Sequence, residues 1–166
     1  MRRDATISAD GLYRYNLLRE WAELPHPQRC LFVMLNPSTA DALKDDATIR
    51  RCIHYAKREG CERLDVVNLF ALRSTDPKAL YSHPEPVGIF NDKQIFAAAE
   101  VASKIILAWG AHGGLRGRGN QVLALLRTVR PAPTLWYFGA TKEGEPRHPL
   151  RLANDAPLYT YWQGDR

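Results

Sequence analysis

Residues Cys30 to Leu35 form an unbroken apolar run, Cys-Leu-Phe-Val-Met-Leu, that gives way abruptly to Asn36-Pro37-Ser38-Thr39-Ala40-Asp41. A strand open to water on one face alternates apolar and polar side chains. A run without alternation fits a strand covered on both faces, as in the middle of a parallel sheet. Proline has no N–H to give to a ladder, so Pro37 ends the pairing. The run therefore demands covering elements on both sides. It also delivers a cluster of small polar side chains to the carboxyl end of a central strand, the edge at which open α/β sheets bind ligands.

The remaining segments fit that frame. Leu64-Asp65-Val66-Val67-Asn68-Leu69, Ile105-Ile106-Leu107-Ala108-Trp109 and Thr134-Leu135-Trp136-Tyr137-Phe138 read as further core strands, the last two ended by Gly110 and Gly139. Between the first two core strands a helix starts near Asp46, which can cap it, and carries Ile49, Cys52, Ile53 and Ala56 on one face until Gly60. A second helix begins near Asn91 with Ile95, Ala98, Ala99 and Ala102 as its stripe, and Val122, Leu125, Leu126 and Val129 mark a third. Tyr13-Arg14-Tyr15-Asn16-Leu17 alternates and reads as an early, half-exposed strand, and Leu158 to Trp162 as a closing edge strand. Strands alternating with helices imply right-handed crossovers and a parallel sheet. The expected fold is a three-layer α/β/α domain over residues 1–166, with a central, mostly parallel four-stranded sheet and short edge strands.

Composition narrows the class. A chain of 166 residues, 45% apolar and 25% charged, suits one soluble domain. No apolar run approaches the roughly 20 residues of a membrane helix. Met1-Arg2-Arg3 is not followed by a secretory h-region, so a cytoplasmic protein with no membrane partner is expected. Cys30, Cys52 and Cys61 lack CxxC spacing and read as buried free thiols. The formal charge of +5 leaves contact with nucleic acid or nucleotide open without requiring it.

In a parallel sheet the carboxyl ends lie side by side. That edge gathers Asn36 to Asp41, Asn68 with Arg73-Ser74-Thr75, Trp109-Gly110, and Gly139-Ala140-Thr141-Lys142 through Arg147-His148-Pro149-Leu150. A carboxamide offers an acceptor and two donors in one plane, which suits a nucleobase edge or another flat amide. Each group also has a plainer role: Asn36 can close a turn, Asn68 can satisfy loose backbone at a strand end, and His148 can pack in the core. Asp41, Asp45 and Asp46 fit capping and dipole compensation better than a metal site, and no cofactor is expected. The loop Gly110 to Gly119 carries Arg116 and Arg118 but no Gly-Lys-Ser/Thr and no dinucleotide fingerprint.

The same residues carry a family resemblance. Leu35 to Asp41, Asp45-Asp46 with Thr48 and Arg50, Asn68-Leu69, Arg73 with Thr75 and Pro77, Pro86 with Gly88, Asn91-Asp92, Trp109-Gly110, Gly139 with Thr141-Lys142, Gly144, and Pro146 to Leu150 resemble the bacterial and phage family known as domain of unknown function 1643. More distantly, the order of elements is similar to that of the uracil-DNA glycosylase superfamily. Asn36-Pro37 stands after the first core strand, Asn68 after the second, Trp109-Gly110 after the third and His148-Pro149 after the fourth.

That resemblance implies a nucleobase- or nucleotide-recognising enzyme cleaving an N-glycosidic bond, with Asn36 and His148 catalytic. Asn36 would position water, Asn68 would bond the base edge and His148 would stabilise charge on the departing base. Lys142, Arg147 and the Arg116–Arg118 loop would hold phosphates. Pro37, Ser38, Thr39, Asp41, Arg50, Arg73, Thr75, Trp109 and Thr141 complete the expected binding set. Arg50, Arg73 and Thr75 match only the first family, and suit a charged small molecule such as a nucleotide as well as a flipped base. A carboxamide takes up no proton near neutral pH, so Asn36 is not a general base. A non-catalytic module binding nucleic acid or nucleotide at the same edge is the alternative.

Overall fold

The path of the chain from Arg29–Met34 (β3) sets the architecture. From β3 it runs through the helix Ala47–Arg58 (α1) to Arg63–Asn68 (β4) on one side, then crosses back to Lys104–Leu107 (β5) on the other. The computed structural model describes residues 1–164. The crossover from β4 to β5 contains a single helical turn, Ala79–Ser82 (α2), and the helix Asn91–Glu100 (α3). Arg118–Arg127 (α4) then leads to Thr134–Tyr137 (β6). The strands β4, β3, β5 and β6 are parallel neighbours in that order.

Right-handed crossovers that travel in opposite directions place their helices on opposite faces. Cys30, Phe32 and Met34 accordingly pack with Ile49, Cys52, Tyr55 and Ala56 of α1. Leu31, Val33 and Leu35 pack with Ile95 and Ala99 of α3 and with Val122 and Leu126 of α4. The six residues of the opening run are divided between the two cores, which accounts for their lack of alternation.

The sheet is larger than the sequence indicates. It has seven strands, not four: Arg2–Ile7 (β1) and Arg14–Glu20 (β2) extend it beyond β4, and Tyr159–Gln163 (β7) pairs with β6, all antiparallel. β1 carries Arg2, Arg3 and Asp4 and is largely exposed, as expected of a protected sheet edge, and so it gives no apolar signal. β2 is mostly buried rather than half-exposed, because β1 covers its outer edge.

Its alternation is also interrupted. Thr6 pairs with Asn16 and Ile7 with Arg14, so Tyr15 is an extra residue on β2. Such a bulge re-aims the side chains that precede it. Tyr15 stacks with Tyr13 and meets Phe90, whereas Leu17 joins the core beneath α1. Arg14 turns inward beneath the segment that follows β3, where its Nη1 donates to the Ala40 carbonyl at 2.8 Å.

Local signals hold at the helix ends. Asp46 is extended, and its Oδ1 accepts from the Ile49 N–H at 2.9 Å. Gly60 ends α1 with φ +76, as a left-handed cap requires. The three cysteines are buried and unpaired. Replacing Asp46 by Ala should destabilise the fold by about 1 kcal/mol, whereas Asp46→Asn, which keeps a capping oxygen, should cost at most a few tenths. Denaturant titration of the two variants checks this.

Candidate functional site

β3 and β5 are the strands from which the chain departs in opposite directions, so their carboxyl ends part to leave a crevice. Asn36 follows β3 at one wall. Its Nδ2 donates to the carbonyls of Ser74 at 3.0 Å and Pro37 at 3.2 Å, tying the β3 exit to the β4 exit. The Ser74 N–H donates back to the Pro37 carbonyl at 2.9 Å. The amide protons of Asn36 are thus used in building the wall, and its Oδ1 is the atom left for a ligand or water.

The three carboxylates beyond it have separate tasks. Asp41 Oδ1 accepts from the Leu43 and Lys44 N–H groups, and those bonds hold its carboxyl below the ordinary range. Asp45 pairs with Arg19 at 2.7 Å and Arg3 at 3.1 Å. Asp46 caps α1. Among the described residues no group of three His, Cys, Asp or Glu is placed to hold a metal ion.

Asn68 ends β4. Its carbonyl accepts from Asn91 Nδ2 at 2.9 Å, but its own Nδ2 is buried with no partner, and the residue is 1% exposed. Buried amides are rarely left in that state, because desolvating an unpaired donor is costly. Trp109, after β5, is held by its Nε1–H donating to Glu145 Oε2 at 2.7 Å. Gly113 lies flat against the indole: a Cβ there would sit 1.9 Å from Trp109 Cδ1.

His148 arrives from a loop that folds back on itself. Thr141 N–H donates to the Glu145 carbonyl at 2.8 Å and Arg147 N–H to the Gly139 carbonyl at 3.0 Å. Gly110, with φ +78, donates its N–H to the Pro146 carbonyl at 2.8 Å, and this sets the loop against the β5 exit. The Leu150 N–H donates to His148 Nδ1 at 3.2 Å. The neutral ring then carries its proton on Nε2, free to donate. Burial lowers the His148 pKa from its ordinary value, with Asp46 opposing, so the neutral ring is favoured.

These side chains enclose one cavity of about 560 Å³. Of the residues expected at the site, Asn36, Ser38, Asn68, Thr75, Trp109 and His148 line it. Pro37, Thr39, Asp41, Arg50, Arg73, Thr141, Lys142 and Arg147 lie outside its lining. Arg50 donates to the Asp45 carbonyl, and Arg73 to the Gly11 carbonyl at 3.3 Å. Thr141 Oγ1 accepts from Glu145 N–H within its own turn. The two loop arginines are structural. Arg116 donates to the His83 carbonyl at 3.0 Å, and buried Arg118 donates to the Leu69 carbonyl and pairs with Asp92.

The cavity also contains groups outside the expected binding set: Arg14, Asp46, Thr48, Ser74, His112 and Arg151. Asp46 was visible as a cap, and Thr48 and Ser74 lay within segments already singled out. Arg14 had no signal, because only the bulge in β2 turns it inward.

A family model described as "Protein of unknown function (DUF1643)" matches residues 14–150. The chain belongs to that family. No curated protein and no solved structure matches it significantly. The matched DUF1643 span opens on Arg14 and closes on Leu150, both of which line the cavity. It leaves out β1 and β7, the outermost strands of the sheet.

Two outcomes follow from this geometry. Gly113→Ala should displace the indole and destabilise the protein by about 1–3 kcal/mol, the usual range for overpacking, with a change in tryptophan fluorescence. For His148, the unfolded chain takes up a proton near pH 6.5 while the folded one resists. The stability that depends on the neutral ring is complete above that value and is lost as pH falls below it. Wild type should therefore lose more stability than His148→Gln between about pH 7 and 5, as measured by parallel denaturant melts.

Proposed function

We propose that the cavity recognises a nucleobase and that the protein hydrolyses its N-glycosidic bond, in a three-layer domain resembling the uracil-DNA glycosylases. The observation that carries this reading is the buried, unpartnered Nδ2 of Asn68, in a residue that lines the same cavity as Asn36 and His148. An idle buried amide is what a site built to bond a flat acceptor edge leaves when no ligand is bound.

In the proposed reaction the Asn68 amide donates to a carbonyl oxygen of the base. The C1′–N bond breaks and its electron pair stays with the base. His148 Nε2–H donates to the base oxygen on which charge gathers, so a neutral ring, favoured by burial, is the form required. Asn36 Oδ1 accepts from the water whose oxygen bonds to C1′. Asp46, the carboxylate on the cavity wall, receives the proton that water gives up.

The same reading extends to nucleic acid or free nucleotide as the source of the base. Lys142 and Arg147 are exposed near the loop that bears His148 and suit phosphate contacts. The engagement of the Asn36 amide by backbone carbonyls favours a second reading, in which the cavity binds its ligand without cleaving it.

Incubation with oligonucleotides carrying uracil or hypoxanthine, and with the corresponding nucleosides and nucleotides, tests the proposal by released base. Release should fall about 100-fold or more in His148→Ala and Asn68→Ala, the scale of losing a preorganised donor. No release from any substrate, with salt-sensitive binding kept, would favour the binding module.

A further inference from the structure

Among the described residues three arginines are almost wholly buried: Arg19 at 0%, Arg14 at 2% and Arg118 at 3% exposure. Two have carboxylate partners. Arg19 pairs with Asp45 at 2.7 Å, and Arg118 pairs with Asp92. Arg14 has no carboxylate in ion-pair contact among the described residues. Its Nη1 donates to the neutral Ala40 carbonyl, and its Nε is buried without a partner. It is also the only one of the three that lines the cavity.

A buried cation is normally paired, since solvent no longer stabilises its charge. The surroundings of Arg14 do not compensate for that loss. Burial pulls its pKa down to about 10, and nearby Arg73 and Arg19 push the same way, with Asp46 alone among carboxylates opposing. Asp46 makes no ion pair with Arg14, and its Oδ1 is committed to the α1 cap. The cavity lining thus includes a guanidinium lacking a counter-charge and an amide donor lacking an acceptor, Asn68 Nδ2. Ser38 and Thr48, which carry hydroxyls, line the same cavity.

We infer that this cavity takes a small ligand bearing an anionic oxygen group, a phosphate or carboxylate, which supplies Arg14 with its missing counter-charge. Guanidinium N–H groups match the oxygens of either group. The inference goes beyond bond cleavage: it concerns what the cavity holds, whether or not an N-glycosidic bond is then broken. Together with the base-recognition reading it selects nucleotides over nucleosides as ligands.

Isothermal titration of the full chain with uridine and inosine 5′-monophosphates, with the matching nucleosides, and with inorganic phosphate and acetate at fixed ionic strength tests it. The monophosphates should bind at least tenfold more tightly than the nucleosides. Phosphate or acetate alone should raise the melting temperature above that in equimolar chloride, and whichever does so identifies the anionic group. Arg14→Gln should remove both effects while Arg14→Lys keeps part of them, and the lysine variant guards against a fold that fails with the charge removed. Equal binding of charged and uncharged ligands, no response to either anion, or a preference that survives Arg14→Gln would overturn the inference. Anion binding without base release from any substrate would leave it standing and sink the hydrolase reading. Base release from uncharged nucleosides with no anion preference would do the reverse.

Discussion

The reversal of crossover direction at β3 is the constraint on which the rest of the structure depends. Because α1 carries the chain one way and α3 carries it back past β3, helices cover both faces and the carboxyl ends of β3 and β5 part. Asn36 and Trp109 leave those two ends, Asn68 leaves the neighbouring β4, and the loop beyond β6 brings His148 against Gly110. No helix of the described residues is long and apolar enough to cross a membrane, and the cavity lies at the carboxyl ends of the parallel strands.

Polar groups around that cavity divide into those that build it and those left idle. Asn36 Nδ2, Asp41, Asp45, Arg116 and Arg118 are engaged by backbone or by opposite charge, and they fix the loops in which they stand. Asn68 Nδ2 and Arg14 Nε are buried without partners, as are Asn16 Oδ1, Arg51 Nε and Asn91 Oδ1, but of these five residues only Asn68 and Arg14 line the cavity. A folded chain tolerates such groups where a ligand completes them, and stability given up at a site is offset by packing elsewhere, here in the two apolar cores. The idle donors argue for an acceptor-rich ligand, and their residues line one cavity, which argues for one ligand that meets both.

Much of this was legible in the sequence, for physical reasons that also mark the limits. The double-sided strand at Cys30 to Leu35, the Asp46 cap and the stops at Gly60, Gly110 and Gly139 are local signals, and the structure follows them. The convergence of Asn36, Asn68 and Trp109 follows from parallel topology, and the folded-back loop docked on Gly110 brings His148 to them. β1 was not legible, because an exposed edge strand of charged residues carries no apolar pattern. Arg14 was not legible either: the alternation of Tyr13 to Leu17 implies regular pleating, and one extra residue in β2 overrides it. The loop arginines misled in the other direction, since basic residues beside glycines suggest phosphate contact until their partners, the His83 and Leu69 carbonyls, are seen.

Asn68 and His148 line one cavity, and the proposed reading has both meet one ligand there. Side-chain NMR of the two residues, followed through a titration with inosine 5′-monophosphate, tests it most directly. The Asn68 Nδ2 amide and the His148 ring should shift together and saturate along one binding curve. Shifts confined to exposed basic residues such as Lys142 and Arg147, with Asn68 and His148 unmoved at saturation, would contradict it.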